Sequence, residues 1–84
     1  MSAPTRDELR GTLADILAGI APEASLDGID ADGPFREELD IDSMDFLNIV
    51  VALKSRLGVE IPESDYGKVA TLNQLLDWLG RRLG

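Results

Sequence analysis

The most hydrophobic helical stretch of this 84-residue chain is DSMDFLNIVVALKSRL, residues 42–57. Asp and Ser are both favoured at helix N-caps, so the stretch predicts a helix that begins at Asp42 or Ser43. Gly58 follows the last apolar residue, Leu57, and glycine commonly occupies the position just after a helix end. We therefore expect one helix to cover this stretch, with Ser43 close to its start.

Apolar residues lie along this helix in two stripes at helical spacing. The first stripe consists of Phe46, Ile49, Val50, Leu53 and Leu57. The second stripe is offset from it and consists of Met44, Leu47 and Val51. A helix that is apolar over more than one stripe is either deeply buried or uses the second stripe to contact a partner. The spacing favours neither alternative, so the second stripe is either part of the core or a surface for a partner.

Helical patterns also flank this stretch. Thr5 and Glu8 form a capping box, which predicts a helix from about residue 6 to about residue 20. A long loop rich in Gly, Pro and Asp follows over residues 21–41, with one helical turn suggested near its end. So long a loop in a small domain is usually functional or packed by its own side chains.

The C-terminal part of the chain is predicted to be helical as well. A short helix fits residues 63–68, and a second capping box, Thr71 with Gln74, starts the last helix. No segment keeps the alternation that a strand requires. We therefore expect an all-α protein with a single domain over residues 1–84, in which residues 1–4 are frayed.

The composition excludes several kinds of catalysis. The chain has no Cys and no His, so neither a Cys-His nor a Ser-His-Asp arrangement can form within it. Its lysines are Lys54 and Lys68, and neither sits in an apolar run that would activate the amine.

The net charge of −8, from 16 acidic against 8 basic residues, indicates the kind of partner. Nucleic acid would be repelled, whereas basic protein surfaces would be attracted. No apolar run approaches membrane-spanning length, and residues 1–5 lack the features of a signal peptide. We expect a cytoplasmic monomer with no membrane span.

The acidic loop contains Asp30-Ala31-Asp32-Gly33, which matches part of a calcium-binding loop. The register fails, because Gly28 and Leu39 would occupy the first and last ligand positions, where carboxylates are required. A solvated acidic turn over residues 27–33 is the better interpretation. A small acidic metal-binding protein is the weakest of the hypotheses that the sequence allows.

Ser43 can be interpreted in two ways. A serine at a helix start is more often an N-cap than a reactive group, and the chain would then be a small acidic helical protein-interaction module. Alternatively, Ser43 reacts. Because no histidine or suitable lysine is present to activate it, another enzyme would have to supply the base. A modification site therefore fits better than a catalytic nucleophile.

The sequence FREELDIDSMD, residues 35–45, resembles the attachment region of the acyl carrier protein family. The similarity covers about residues 35–79 in register, and residues 5–20 agree in helical pattern only. It continues through Leu57-Gly58-Val59-Glu60-Ile61-Pro62, Lys68-Val69 and Thr71-Leu72.

The resemblance implies that Ser43 receives 4′-phosphopantetheine from coenzyme A through a separate phosphopantetheinyl transferase. The thiol of that arm would carry an acyl group as a thioester, in fatty-acid, lipid or polyketide-type biosynthesis. The implied fold is a four-helix bundle with one short helix. The chain would be a carrier that is not an enzyme, and its partners would be acyl-loading and acyl-using enzymes.

The resemblance also assigns roles to the residues around Ser43. The second stripe, Met44, Leu47 and Val51, would face partner enzymes or help to line the space where an acyl chain shelters. Asp42 and Asp45 would meet basic patches on those partners. Their main effect would be to speed the encounter with a partner and to fix the register in which it docks.

Lys54 and Arg56 depart from the family pattern, in which this part of the helix carries an acidic cluster. We expect this basic end to alter partner preference, so that the chain is a specialised member of the family. The alternative is a solvated helix end, where basic residues are favourable because they lie near the helix C-terminus.

Overall fold

The computed structural model describes residues 3–83, which form helices and no strand. In chain order the elements are α1 (Arg6–Ile20), α2 (Phe35–Glu38), α3 (Ser43–Leu57), a 3₁₀ helix (Glu63–Val69) and α4 (Leu72–Leu83). This confirms the all-α bundle with one short helix and the long loop after α1. Of the four residues predicted to fray, 1 and 2 lie outside the described part, and residues 3 and 4 precede α1.

Both capping boxes form at the helix starts where the sequence predicts them. The Glu8 amide donates to Thr5 Oγ1 at 3.1 Å, and the Thr5 amide donates to Glu8 Oε1 at 3.0 Å. Hydrogen bonds from Thr5 lower the pKa of the Glu8 carboxyl below its ordinary value. The bond from the Thr5 backbone N–H has the larger effect, and the bond with the Thr5 side chain has the smaller one. The Gln74 amide donates to Thr71 Oγ1 at 3.0 Å, and the Thr71 amide returns a bond of 3.2 Å to Gln74 Oε1. These bonds satisfy amides that a helix start leaves without partners.

The core is formed by one apolar face from each long helix. Every buried side chain within residues 3–83 is apolar. Helix α1 contributes Leu9, Leu13, Ile16 and Leu17. Helix α3 contributes Phe46, Ile49, Val50 and Leu53. Helix α4 contributes Leu72, Leu75, Leu76 and Leu79. Four of the five first-stripe residues are thus in the core, and Leu57 packs against it half-buried. This burial orients α3 and leaves its second stripe on the outside.

The long loop is held in place by hydrogen bonds to the region around α4. The Phe35 amide donates to the carbonyl of Ala70 at 2.8 Å, and the Asn73 amide donates to the carbonyl of Ala31 at 3.1 Å. The Asn73 side chain also donates to Asp32 Oδ1 at 2.7 Å. With Phe35 buried at the start of α2, these bonds explain how a 14-residue connection, residues 21–34, stays ordered.

A left-handed turn at Asp40 connects α2 to α3. The Ile41 amide donates to the carbonyl of Arg36 at 3.0 Å, and the Asp40 amide donates to that of Glu37 at 3.2 Å. This is the pair of bonds of a Schellman motif, whose left-handed position is usually glycine. Asp40 occupies it with φ 54°. The turn brings Ile41 into the core and sends the chain into α3.

We predict that Leu53→Ala lowers the free energy of unfolding by about 2 to 5 kcal/mol, because Leu53 is fully buried and its truncation leaves a cavity. Val51→Ala, on the same helix but 66% exposed, should change it by less than about 0.5 kcal/mol. Urea denaturation followed by circular dichroism measures both. Equal losses from the two variants would contradict the placement of the two stripes.

Candidate functional site

Helix α3 is capped by Asp42. Its backbone is extended, with φ −92° and ψ −179°, and its Oδ1 accepts a hydrogen bond of 2.9 Å from the Asp45 amide. The Phe46 amide then donates to the carbonyl of Asp42 at 3.1 Å, the first bond of the helix. The interpretation of Ser43 as the N-cap is therefore wrong. The extended residue before the first helical one is the one whose side chain reaches back to the free amides.

Ser43 is the first residue of α3, and its side chain is exposed. Its hydroxyl makes no hydrogen bond to any other of residues 3–83. The hydroxyl is therefore available to solvent at a helix N-terminus. Free amides and the helix dipole there favour an anionic group such as a phosphoryl ester, whereas the carboxylates of Asp42 and Asp45 oppose one. A phosphodiester attached to Ser43 fits this position if it projects away from the helix end.

Neither lysine of residues 3–83 is placed to activate Ser43. Lys54 lies eleven residues further along the same helix, about 16 Å away at the α-helical rise, and it pairs with Glu60 at 3.4 Å. Lys68 lies in the 3₁₀ helix and pairs with Asp65 at 3.4 Å. A serine hydroxyl needs an adjacent base to become a nucleophile, and neither lysine is in a position to serve as that base.

The second stripe is on the surface, which decides between the two alternatives that its spacing left open. Met44 is 66% exposed, Leu47 42% and Val51 66%. With Ser43 they follow one side of α3 for about two turns. An apolar surface beside a polar, exposed serine is the arrangement expected of a docking surface.

The charged residues of α3 are divided between its two ends. Asp42 and Asp45 lie beside Ser43, the first exposed and the second half-buried. Lys54 and Arg56 lie in the last turn, about 16 and 20 Å from Ser43 along the helix axis. The structure thus brings the acidic pair to Ser43 and keeps the basic pair apart from it.

Both basic residues form exposed ion pairs. Lys54 Nζ lies 3.4 Å from Glu60 Oε1, and Arg56 Nη1 lies 3.8 Å from Asp15 Oδ2. All four side chains are at least half exposed. Exposed pairs of this kind contribute about 0 to 1 kcal/mol, so a partner could readily replace them.

A pocket of about 530 Å³ lies between α2, the start of α3 and the 3₁₀ helix, and sequence reasoning missed it. Its apolar lining includes Phe35, Ile41, Phe46, Tyr66 and Val69. No second-stripe residue contributes to it, so this pocket and the second stripe are separate features. Phe46 and Tyr66 lie twenty residues apart in the chain, and no local pattern joins them.

The acidic loop uses its carboxylates for internal hydrogen bonds. Asp30 Oδ1 accepts from the Asp32 amide at 3.0 Å, and Glu38 Oε1 accepts from the Asp30 amide at 2.7 Å. Across residues 3–83, no group of three or more Asp, Glu, His or Cys side chains is arranged to hold a metal ion.

None of the helices in that part of the chain is long and apolar enough to cross a membrane.

Comparisons with known proteins agree with this geometry. The family described as "Phosphopantetheine attachment site" matches residues 7–79. The acyl carrier protein of Thermosynechococcus vestitus is 30% identical over 81 residues, covering 92% of this chain and 89% of the relative. That of Renibacterium salmoninarum is 31% identical over 78 residues, with 89% and 91% covered. That of Lactobacillus johnsonii is 32% identical over 77 residues, with 89% and 92% covered. Because the match spans nearly the whole of this chain and of each relative, the chain belongs to the acyl carrier protein family, whose members carry a phosphopantetheine attachment site.

Proposed function

We propose that this chain carries acyl intermediates as thioesters on a 4′-phosphopantetheine arm attached to the hydroxyl of Ser43. The carrier function and its prosthetic group follow from family membership. The assignment to Ser43 is supported by its place in the FREELDIDSMD stretch and by its exposure at the start of α3.

One observation supports Ser43 above all: Asp42 caps α3, so the serine is not needed to start the helix. A capping serine would have its oxygen engaged by a backbone amide, and modification would cost that bond. Here the oxygen that accepts the Asp45 amide belongs to Asp42. The helix start can therefore be retained while Ser43 is modified.

The division of roles follows from the chemistry of the chain. When bound, the arm supplies a terminal thiol that holds the acyl group as a thioester. The Ser43 hydroxyl oxygen would bond to the phosphorus of the phosphopantetheine part of coenzyme A and give up its proton to a base of a phosphopantetheinyl transferase. The pyrophosphate bond of coenzyme A would break, and adenosine 3′,5′-bisphosphate would leave. The chain holds the arm at an exposed helix start and presents it to other proteins. In this proposal it is a mobile carrier with no catalytic residue of its own.

The partner surface is the side of α3 that carries Ser43 and the second stripe. Met44, Leu47 and Val51 supply apolar area that a partner can bury. Asp42 and Asp45 supply negative charge at the same end, which would attract a basic surface and speed encounter. The partners proposed for it are the transferase and the enzymes that load or use the acyl group. A cytoplasmic location and a monomeric state stay predictions of the sequence.

Lys54 and Arg56 are proposed to modify that partner choice. They place positive charge at the far end of the same helix, where exposed ion pairs hold them only weakly. A partner with a uniformly basic docking surface would be repelled there, whereas a partner with an acidic patch would be favoured. This supports a specialised carrier over a carrier that serves general fatty-acid synthesis.

We predict that the apo protein gains the mass of one phosphopantetheine group when it is incubated with coenzyme A and a phosphopantetheinyl transferase. Ser43→Ala should gain none, because the accepting oxygen is gone. Ser55→Ala, which removes another exposed serine of α3, should gain mass as wild type does. Intact-mass spectrometry distinguishes these results. A wild type that stays unmodified would favour the protein-interaction module, and an equal gain in Ser43→Ala would refute the assignment.

We predict that the double variant Lys54→Glu/Arg56→Glu is loaded about tenfold faster by general fatty-acid-synthesis enzymes at low salt, because the repulsive end of α3 becomes attractive. Initial rates measured over a range of salt concentrations test this, since an electrostatic gain fades as salt rises. Arg10→Glu/Arg81→Glu makes the same change in net charge at residues of α1 and α4 and should have little effect. No gain in the α3 variant would count against a partner role for Lys54 and Arg56.

A further inference from the structure

The pocket of about 530 Å³ lies within reach of the attachment site. Phe46 forms part of its wall and follows Ser43 by three residues, one turn of α3. Asp40 and Ile41, which lie three and two residues before Ser43, line it as well. An acyl group on an arm at Ser43 therefore has an apolar surface close at hand. How far such a group can enter depends on what lies beyond this surface, a question that rests on the proposed function.

An aromatic pair forms part of the wall of this pocket, where α3 meets the 3₁₀ helix. The rings of Phe46 and Tyr66 meet edge to face, with centroids 5.4 Å apart and planes at 82°. Phe46 belongs to α3 and Tyr66 to the 3₁₀ helix, so the contact bridges the two elements. Edge-to-face packing is a favoured arrangement of aromatic rings and adds to the gain from their burial.

The 3₁₀ helix that carries Tyr66 is fixed on its other side. Trp78 of α4 donates its indole N–H to Asp65 Oδ2 at 3.2 Å, and Lys68 Nζ lies 3.4 Å from Asp65 Oδ1. Val69, at the end of the segment, is fully buried. These contacts anchor the backbone that carries Tyr66, and so they keep the Tyr66 ring next to Phe46.

The side chains packed around the pair leave little surface exposed. Phe35 and Val69, which also line the pocket, are each 1% exposed, and Phe46 is 7% exposed. An alkyl chain that passed this point would have to separate the two rings and add methylene groups to close-packed side chains, which is unfavourable. The exposed part of the lining includes the charged residues Arg36, Glu37 and Asp40, which offer a long alkyl chain little apolar cover.

We infer that Phe46 and Tyr66 determine the size of the cargo, and that this carrier is built for short acyl groups. A short group is covered by the outer part of the pocket. A longer chain gains no further burial, since the aromatic pair blocks the way into the bundle. Its distal carbons stay exposed to solvent or to the partner.

The test uses acylated forms of the whole protein. A phosphopantetheinyl transferase that accepts acylated coenzyme A transfers butyryl, octanoyl or dodecanoyl arms to Ser43, and intact mass verifies each product. The melting temperature of each form is then measured by circular dichroism. Ligand burial that occurs only in the folded state raises the melting temperature, so the dependence on chain length reports how much of the chain is sheltered.

In wild type the three forms should melt within about 1 °C of one another, because the extra carbons find no shelter. Tyr66→Ala opens the barrier at a half-buried position, and its dodecanoyl form should melt about 4 °C or more above its butyryl form. Phe46→Leu removes the ring from the other side and should behave in the same way. Tyr66→Phe keeps the ring contact and should match wild type.

A wild-type melting temperature that climbs steadily from butyryl to dodecanoyl would overturn the inference. So would variants Tyr66→Ala and Phe46→Leu that both show the flat wild-type response. Failure of the proposed function would look different, because no acyl-phosphopantetheine mass would then appear on the wild-type protein in the first step.

Discussion

The hydrogen bond from the Asp45 amide to the carboxylate of Asp42 determines how the start of α3 can be used. It supplies the acceptor that a helix N-terminus requires, and it does so one residue before Ser43. The serine therefore sits inside the first turn, exposed and without a partner among the described residues. A helix that depended on Ser43 for its cap would be weakened by modification of that residue. This helix is capped independently of it.

The turn at Asp40 places Asp42 in position to cap α3. Asp40 adopts a left-handed conformation, and its amide and that of Ile41 close the end of α2. Ile41 is then buried and Asp42 is extended, in position to cap. A non-glycine residue in this conformation costs roughly 1 to 2 kcal/mol, less for Asp than for most residues, and the anchoring of Ile41 and Phe35 compensates for it. The position of Ser43 is thus set by burial on one side and by capping on the other.

Much of this architecture was predictable because its causes are local. The capping boxes at Thr5 and Thr71 and the glycine after Leu57 each depend on residues within one turn, and the structure shows all of them. Local sequence did not decide between Asp42 and Ser43 as the cap, because both residue types are good acceptors. The choice depends on which residue is extended, and the turn at Asp40 sets that.

Tertiary packing decided the features that periodicity left open or missed. The second stripe is exposed because the first stripe, together with α1 and α4, already fills the core. The pocket beside Ser43 depends on Tyr66 meeting Phe46 across two elements, a contact between residues far apart in sequence. These are the features that bear most on partner docking and on cargo.

The central claim is that Asp42 and not Ser43 caps α3. The most direct test is the free energy of unfolding of two single variants, measured by urea denaturation. Asp42→Ala should lose about 1 kcal/mol, because the Asp45 amide loses its acceptor. Ser43→Ala should change by less than about 0.5 kcal/mol, since its hydroxyl holds nothing in place. A loss confined to Ser43→Ala would show that the serine caps α3 and would contradict the account.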